Sequence, residues 1–138
     1  MEDFKEKILN YCQHNKFKKL AIIGVNGLRH INLVEKLKKN SEVDIFDFSP
    51  FHKEKYEYNC VDVIFDECNF DDYDAIINLS AEHMYPMAKI HKGHYILVLH
   101  KSTEQNPRMP TKIDSDHNIN IKEFFNCERK YIFIGDSL

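Results

Sequence analysis

Glycine is scarce in this chain of 138 residues, with four in all, and two of them, Gly24 and Gly27, fall in a single turn. Long apolar runs are missing: none approaches the roughly 20 residues that span a bilayer. The start, Met1-Glu2-Asp3-Phe4, lacks the basic and apolar regions of a signal peptide. The expectation is therefore a cytoplasmic protein with no membrane partner. The four cysteines, Cys12, Cys60, Cys68 and Cys127, form no C-x-x-C pair and read as buried small hydrophobes or inert thiols in a reducing compartment. An excess of positive charge is also absent. Nineteen Lys and Arg face 22 Asp and Glu, for a net charge of -3, which argues against a general nucleic-acid surface. The densest basic run, Lys16, Lys18 and Lys19, reads as solvated. No G-x-S-x-G elbow and no P-loop lysine pattern occurs, so hydrolase and NTPase readings lack support.

What is present is an alternation of strand and helix patterns. Residues 2–15 carry Phe4, Ile8 and Tyr11 or Cys12 at helical spacing. Residues 18–23 predict a first strand, and Arg29 to Lys39 a helix with Ile31, Val34 and Leu33 or Leu37 inward. Residues 43–48, 61–65, 75–80 and 95–100 predict four more strands, each a short apolar run with polar or glycine borders, as buried parallel strands read. Asn120-x-x-Glu123 resembles a capping box opening a short helix through Phe124 and Phe125, and Tyr131 to Ile134 a last strand. The whole predicts one three-layer α/β domain over 1–138, with 1–16 as its N-terminal helical segment. About twelve residues separate the second and third strands, and about nine the third and fourth, too few for full crossover helices. One face of the sheet should thus be thinly covered and should recruit a second copy or a protein partner.

Candidate site residues cluster at predicted carboxyl ends of strands, where open α/β sheets bind ligands. Leu20 to Gly27 is an apolar run ending in a glycine turn, and about twenty residues later Val43-Asp44-Ile45-Phe46 ends in Asp47. That is the pattern of a βαβ nucleotide-binding unit, in which glycine admits close backbone approach and the acid holds ribose hydroxyls. Asp66, at the expected end of the third strand, could accept from an adenine amino group. Asn78-Leu79-Ser80-Ala81-Glu82-His83-Met84 gathers polar groups at the end of the fourth strand, where Glu82 and His83 are side-chain types suited to general acid or base work. The competing reading is a capped helix start, with Ser80 as cap and Glu82 favoured by the helix dipole. His83, His91, His94 and His100 invite a zinc reading, but no carboxylate or cysteine completes a recognised spacing, and no metal is expected. The irregular segment Lys101 to Asp116, with Pro107 and Pro110, is expected over the same edge of the sheet.

On these residues the chain, from about Lys18 onward, resembles a compact class I S-adenosylmethionine-dependent methyltransferase. Gly24-Val25-Asn26-Gly27 falls at the glycine-rich loop, Asp47 at the ribose acid and Asp66 at the adenine acid. Ile77 to Met84 is similar to an I-N-T-S-C-E-H-M motif in a subgroup of bacterial and phage methyltransferase-like proteins, and Gly93 to Leu99, His117 to Asn120 and Phe133 to Leu138 follow that subgroup's order. The resemblance implies a Rossmann-like, mostly parallel sheet in the order 3-2-1-4-5 plus one C-terminal strand. It also implies a cofactor, S-adenosylmethionine, held by Gly24, Asn26, Gly27, Asp47, Asp66, Asn78 and Ser80, with Glu82 or His83 as base toward an acceptor. The sequence departs from the pattern where an acid two residues before the first glycine is replaced by Ile22, and where Asn26 replaces the middle glycine. The helix after the second strand and half of the usual final hairpin are expected to be missing. An inactive fold kept as a structural or regulatory interaction module is the alternative; a nicotinamide-binding protein, lacking the third glycine, ranks behind both.

Overall fold

Seven strands form a single sheet in the order β3-β2-β1-β4-β5-β7-β6, as the computed structural model shows for residues 1–25, 27–49, 55–63, 66, 68–81, 91–101 and 118–138. The elements run α1 (Asp3–His14), β1 (Lys19–Ile23), a 3-10 turn (Gly27–His30), α2 (Ile31–Leu37), β2 (Glu42–Asp47), β3 (Asn59–Cys60), β4 (Ala75–Asn78), β5 (His94–His100), β6 (Ile119–Asn126) and β7 (Lys130–Ser137). The five strands β3, β2, β1, β4 and β5 are mutually parallel, while β7 and β6 are antiparallel to their neighbours. This is the Rossmann-like order that the resemblance implies, with one strand more.

The alternation of side chains divides the core between the two faces of the sheet. Leu20, Ile22, Ile45, Ile77, Ile96 and Val98 point to one face, where Phe4, Ile8 and Cys12 of α1 and Leu33, Val34 and Leu37 of α2 close over them. Ala21, Ile23, Ile76, Tyr95, Leu97 and Phe133 point to the other. Both described helices lie on the first face. The second is covered, among the described residues, by irregular chain that brings Val63 and Phe70 down onto the strands. Helical cover is reduced as expected, yet β1, β4 and β5 are buried on both sides, consistent with their unbroken apolar composition. Exposure returns at the β6 edge, where Phe124 is 47% exposed beside Tyr131 and Phe133.

Three expectations are corrected. The third strand is not 61–65 but the two-residue β3, where Asn59 and Cys60 pair with Phe46 and Asp47. Val61 and Val63 instead turn their side chains onto the second face as cover, so their apolarity reflects burial outside the sheet; Ile64 and Phe65 lie outside the described residues. The capping-box pattern at Asn120 and Glu123 opens no helix. It lies within β6, which pairs with β7 from Ile119↔Ser137 to Asn126↔Tyr131 around an irregularity between Ile121 and Glu123. Long-range pairing overrides the local signal there. The final hairpin is consequently whole, closed by the Cys127 N–H on the Lys130 carbonyl at 3.0 Å. In the connection after β2, Phe48, Ser49 and 55–58 form no helix, and 50–54 lie outside the described residues.

Candidate functional site

Parallel pairing brings the carboxyl ends of β1, β2 and β4 to one edge. Ile23 lies level with Phe46 on one side and Asn78 on the other, so the turn that leaves β1 at Gly24 stands beside Asp47 and the chain leaving β4. Gly24 has φ +78°, in the left-handed region that disfavours any residue with a Cβ. A Cβ added to it would meet the Ser80 Oγ at 2.8 Å. Glycine is therefore required both by conformation and by contact, and the β1 and β4 turns touch directly. The Leu79 N–H donates to the Ile23 carbonyl at 2.9 Å, which prolongs the β1–β4 pairing to this point.

Asp47 closes β2 and is only 8% exposed. Its Oδ1 accepts the Ser49 N–H at 3.0 Å, which fixes the carboxylate's direction, while its carbonyl accepts the Val61 N–H at 3.0 Å. Asn78 is fully buried, and its Oδ1 accepts the Ser80 N–H at 3.0 Å. It thus shapes the turn that presents Ser80 to Gly24. Ala81 is pinned by its N–H on the Val98 carbonyl at 3.1 Å.

Asp66 is placed differently from expectation. It follows β3 by six residues, is exposed, and makes a closed loop with Asp62: its N–H donates to the Asp62 carbonyl at 2.7 Å and its Oδ2 accepts the Asp62 N–H at 2.8 Å. The first carboxylate along the chain after β3 is Asp62, two residues beyond Cys60. The predicted strand 61–65 would have put Asp62 inside an element; with β3 ending at Cys60 it lies beyond the strand. Asn26, Glu82 and His83 lie outside the described residues, as does the segment 102–116; Gly27 opens the 3-10 turn after β1.

Two of the histidines weighed as zinc ligands, His91 and His94, serve separate local bonds. His91 reaches the Val63 carbonyl at 2.7 Å through Nε2. His94 joins Asp136 at 2.7 Å through Nδ1 and the Tyr11 hydroxyl at 2.8 Å through Nε2. Among the described residues no three His, Cys, Asp or Glu side chains gather as a metal site.

No family model matches the sequence, and no curated protein matches it. Solved structures do match in fold, and methyltransferases are among them. A SAM-dependent methyltransferase from Aquifex aeolicus superposes with a TM-score of 0.70 at 10% identity, over 99% of this chain and 90% of that one. The 1,6-didemethyltoxoflavin-N1-methyltransferase of Burkholderia thailandensis, solved with S-adenosylhomocysteine, gives 0.67 at 11% identity over 98% and 77%. The methyltransferase domain of bacterial-CtHen1-CN gives 0.69 at 10% identity over 98% and 97%. The fold is therefore that of the class I SAM-dependent methyltransferases, with the glycine turn and the strand-end acid at its carboxyl edge. Among the described residues this chain carries a complete terminal hairpin and two α-helices.

Proposed function

We propose that the protein binds S-adenosylmethionine at the carboxyl edge of β1, β2 and β4 and acts as a methyltransferase on an acceptor approaching from the Ser80 side. The observation that carries this reading is the juxtaposition of a left-handed Gly24, backed by Ser80, with a buried and oriented Asp47. A Cβ at position 24 would run into Ser80, so glycine lets the β1 and β4 turns close against each other at this edge. Gly24 and Gly27 would lie against the cofactor's amino-acid portion and Asp47 would accept from its ribose hydroxyls. Asp62 or Asp66 would face the adenine, and Asn78 would keep Ser80 in place. Bound there, S-adenosylmethionine supplies an electrophilic methyl group on a sulfonium. The chain's own contribution is alignment, with Glu82 or His83 taking the proton of an acceptor that carries one. In this reading 1–138 works as one domain, in the cytoplasm, where its four free thiols remain reduced.

Calorimetric titration of cofactor-free protein with S-adenosylmethionine and S-adenosylhomocysteine tests it. Micromolar binding, lost in Asp47→Ala with an unchanged circular dichroism spectrum, is expected; equal affinity in that variant sinks the pose. The second reading, an inactive interaction module, draws on Ile22. It stands where the family has an acid, yet it is fully buried in the helix-side core. Under it, neither ligand binds at millimolar concentration, and a partner or second copy covers the face that leaves Phe124 exposed.

A further inference from the structure

At the opposite edge of the sheet from Gly24 and Asp47 lies a cavity of about 420 Å³, between the C-terminal ends of α1 and α2. The five residues of β1 separate it from the carboxyl edge, a span of about 16 Å. Its size is that of small-molecule sites, which run from about 300 to 1,000 Å³. Leu9, Cys12, Phe17 and Leu37 supply apolar walls, and Lys16 and Lys18 stand at the rim. The walls are held firmly. The Ser41 hydroxyl donates to the Phe17 carbonyl at 2.7 Å, tying the two helix ends together, and the Lys18 N–H donates to the Asp74 Oδ2 at 2.7 Å.

Lys16 is the unusual member. α1 ends in a Schellman arrangement: the Phe17 N–H reaches the Cys12 carbonyl and the Lys16 N–H the Gln13 carbonyl, each at 3.2 Å. Position 16 is the left-handed residue of that motif, with φ 54°, where glycine is the unstrained choice. The chain instead carries a lysine there, on the lip of an apolar cavity, two residues from a second lysine on the same lip. Asp74 accepts the backbone N–H groups of Lys18 and Lys19. The strain at position 16 comes from the Cβ, and the ammonium it carries stands at the C-terminal end of α1, on the cavity's lip.

We propose that this cavity binds a small apolar organic acid, with its hydrocarbon against Leu9, Phe17 and Leu37 and its carboxylate between Lys16 and Lys18. The site is independent of the cofactor reading, since it shares no residue with the carboxyl edge.

The test is a titration of the ¹⁵N-labelled protein with octanoate, followed by amide shifts. Octanol and octylamine serve as neutral and cationic controls. Saturable shifts confined to residues 9–18 and 37–41 are expected, with octanoate tighter than octanol and octylamine weakest. Affinity should fall about tenfold in Lys16→Gly and in Lys18→Gln. Lys16→Gly should at the same time raise the melting temperature, because the left-handed position is relieved, so loss of binding there cannot be loss of fold. Absence of saturable shifts, equal binding of the three probes, or unchanged affinity in both variants overturns the proposal. So does competition with S-adenosylhomocysteine, which would place octanoate at the carboxyl edge; binding of octanoate with no response to S-adenosylhomocysteine leaves this site standing and removes the methyltransferase reading instead.

Discussion

His30 shows how a single side chain sets the pH response. It is 4% exposed, packed edge-on against Phe4 at 5.9 Å between ring centroids, and its Nδ1 has no hydrogen-bond partner among the described residues. Burial, followed by the charges of Lys5, Lys130 and Arg29, lowers its pKa from 6.5 to about 4. The unfolded chain therefore takes up a proton that the folded one refuses between these values, and stability falls as the pH drops from about 6.5 toward 4. The loss approaches roughly 3 kcal/mol once the pH is below both values. His30→Leu should flatten this part of the stability curve in urea denaturation at pH 7, 6, 5 and 4; an unchanged slope would show that the imidazole is already charged in the native protein. Lys5 illustrates the opposite solution to burial. Its ammonium is satisfied, donating at 2.9 Å to both the Arg29 carbonyl and the Asn32 Oδ1.

Among the elements, the β6–β7 hairpin is the one most dependent on a single residue. A Cβ at Gly135 would lie 2.1 Å from the Asn120 carbonyl oxygen, a backbone atom of the paired strand that cannot step aside. Gly135→Ala should force the strands apart beside the irregularity and cost about 1–3 kcal/mol, the range for overpacking. The midpoint of thermal unfolding measures it, and amide exchange should speed up first in Ile119–Ile121; a wild-type midpoint would mean that the register can slip at no cost. Two local patterns misled here for related reasons. Asn120 and Glu123 have the spacing of a helix start, and Val61 to Phe65 the composition of a strand, yet β7 and the sheet's second face decide both. Neither contact is visible within a window of neighbouring residues.

The whole molecule is tied together at the edge opposite the candidate cofactor site. Asp136 of β7 accepts from His94 of β5 and Lys122 of β6, and His94 in turn meets Tyr11 of α1, so one carboxylate links three strands and a helix. The bonds from Lys122 and then His94 hold the Asp136 carboxyl below the usual carboxylate range. That contribution is present at neutral pH and disappears as the pH falls through the lowered value. Because the Asp136 side chain is 42% exposed, solvent screens the network, and Asp136→Asn should cost about 0.5–1 kcal/mol. The difference from wild type should be seen at pH 7 in urea and vanish in strong acid; a difference that persists there would mean that shape, not charge, is lost. The Rossmann-like sheet was legible in the sequence because buried parallel strands must be short apolar runs and a tight exit from β1 must be glycine. Gly24 and Asp47 could be found that way, since each obeys a rule that holds within a few residues. The contact of Gly24 with Ser80, the bond of Asp62 with Asp66, the completed hairpin and the cavity between α1 and α2 could not. Each depends on segments far apart in the chain meeting in space, which only the packing of the tertiary structure fixes.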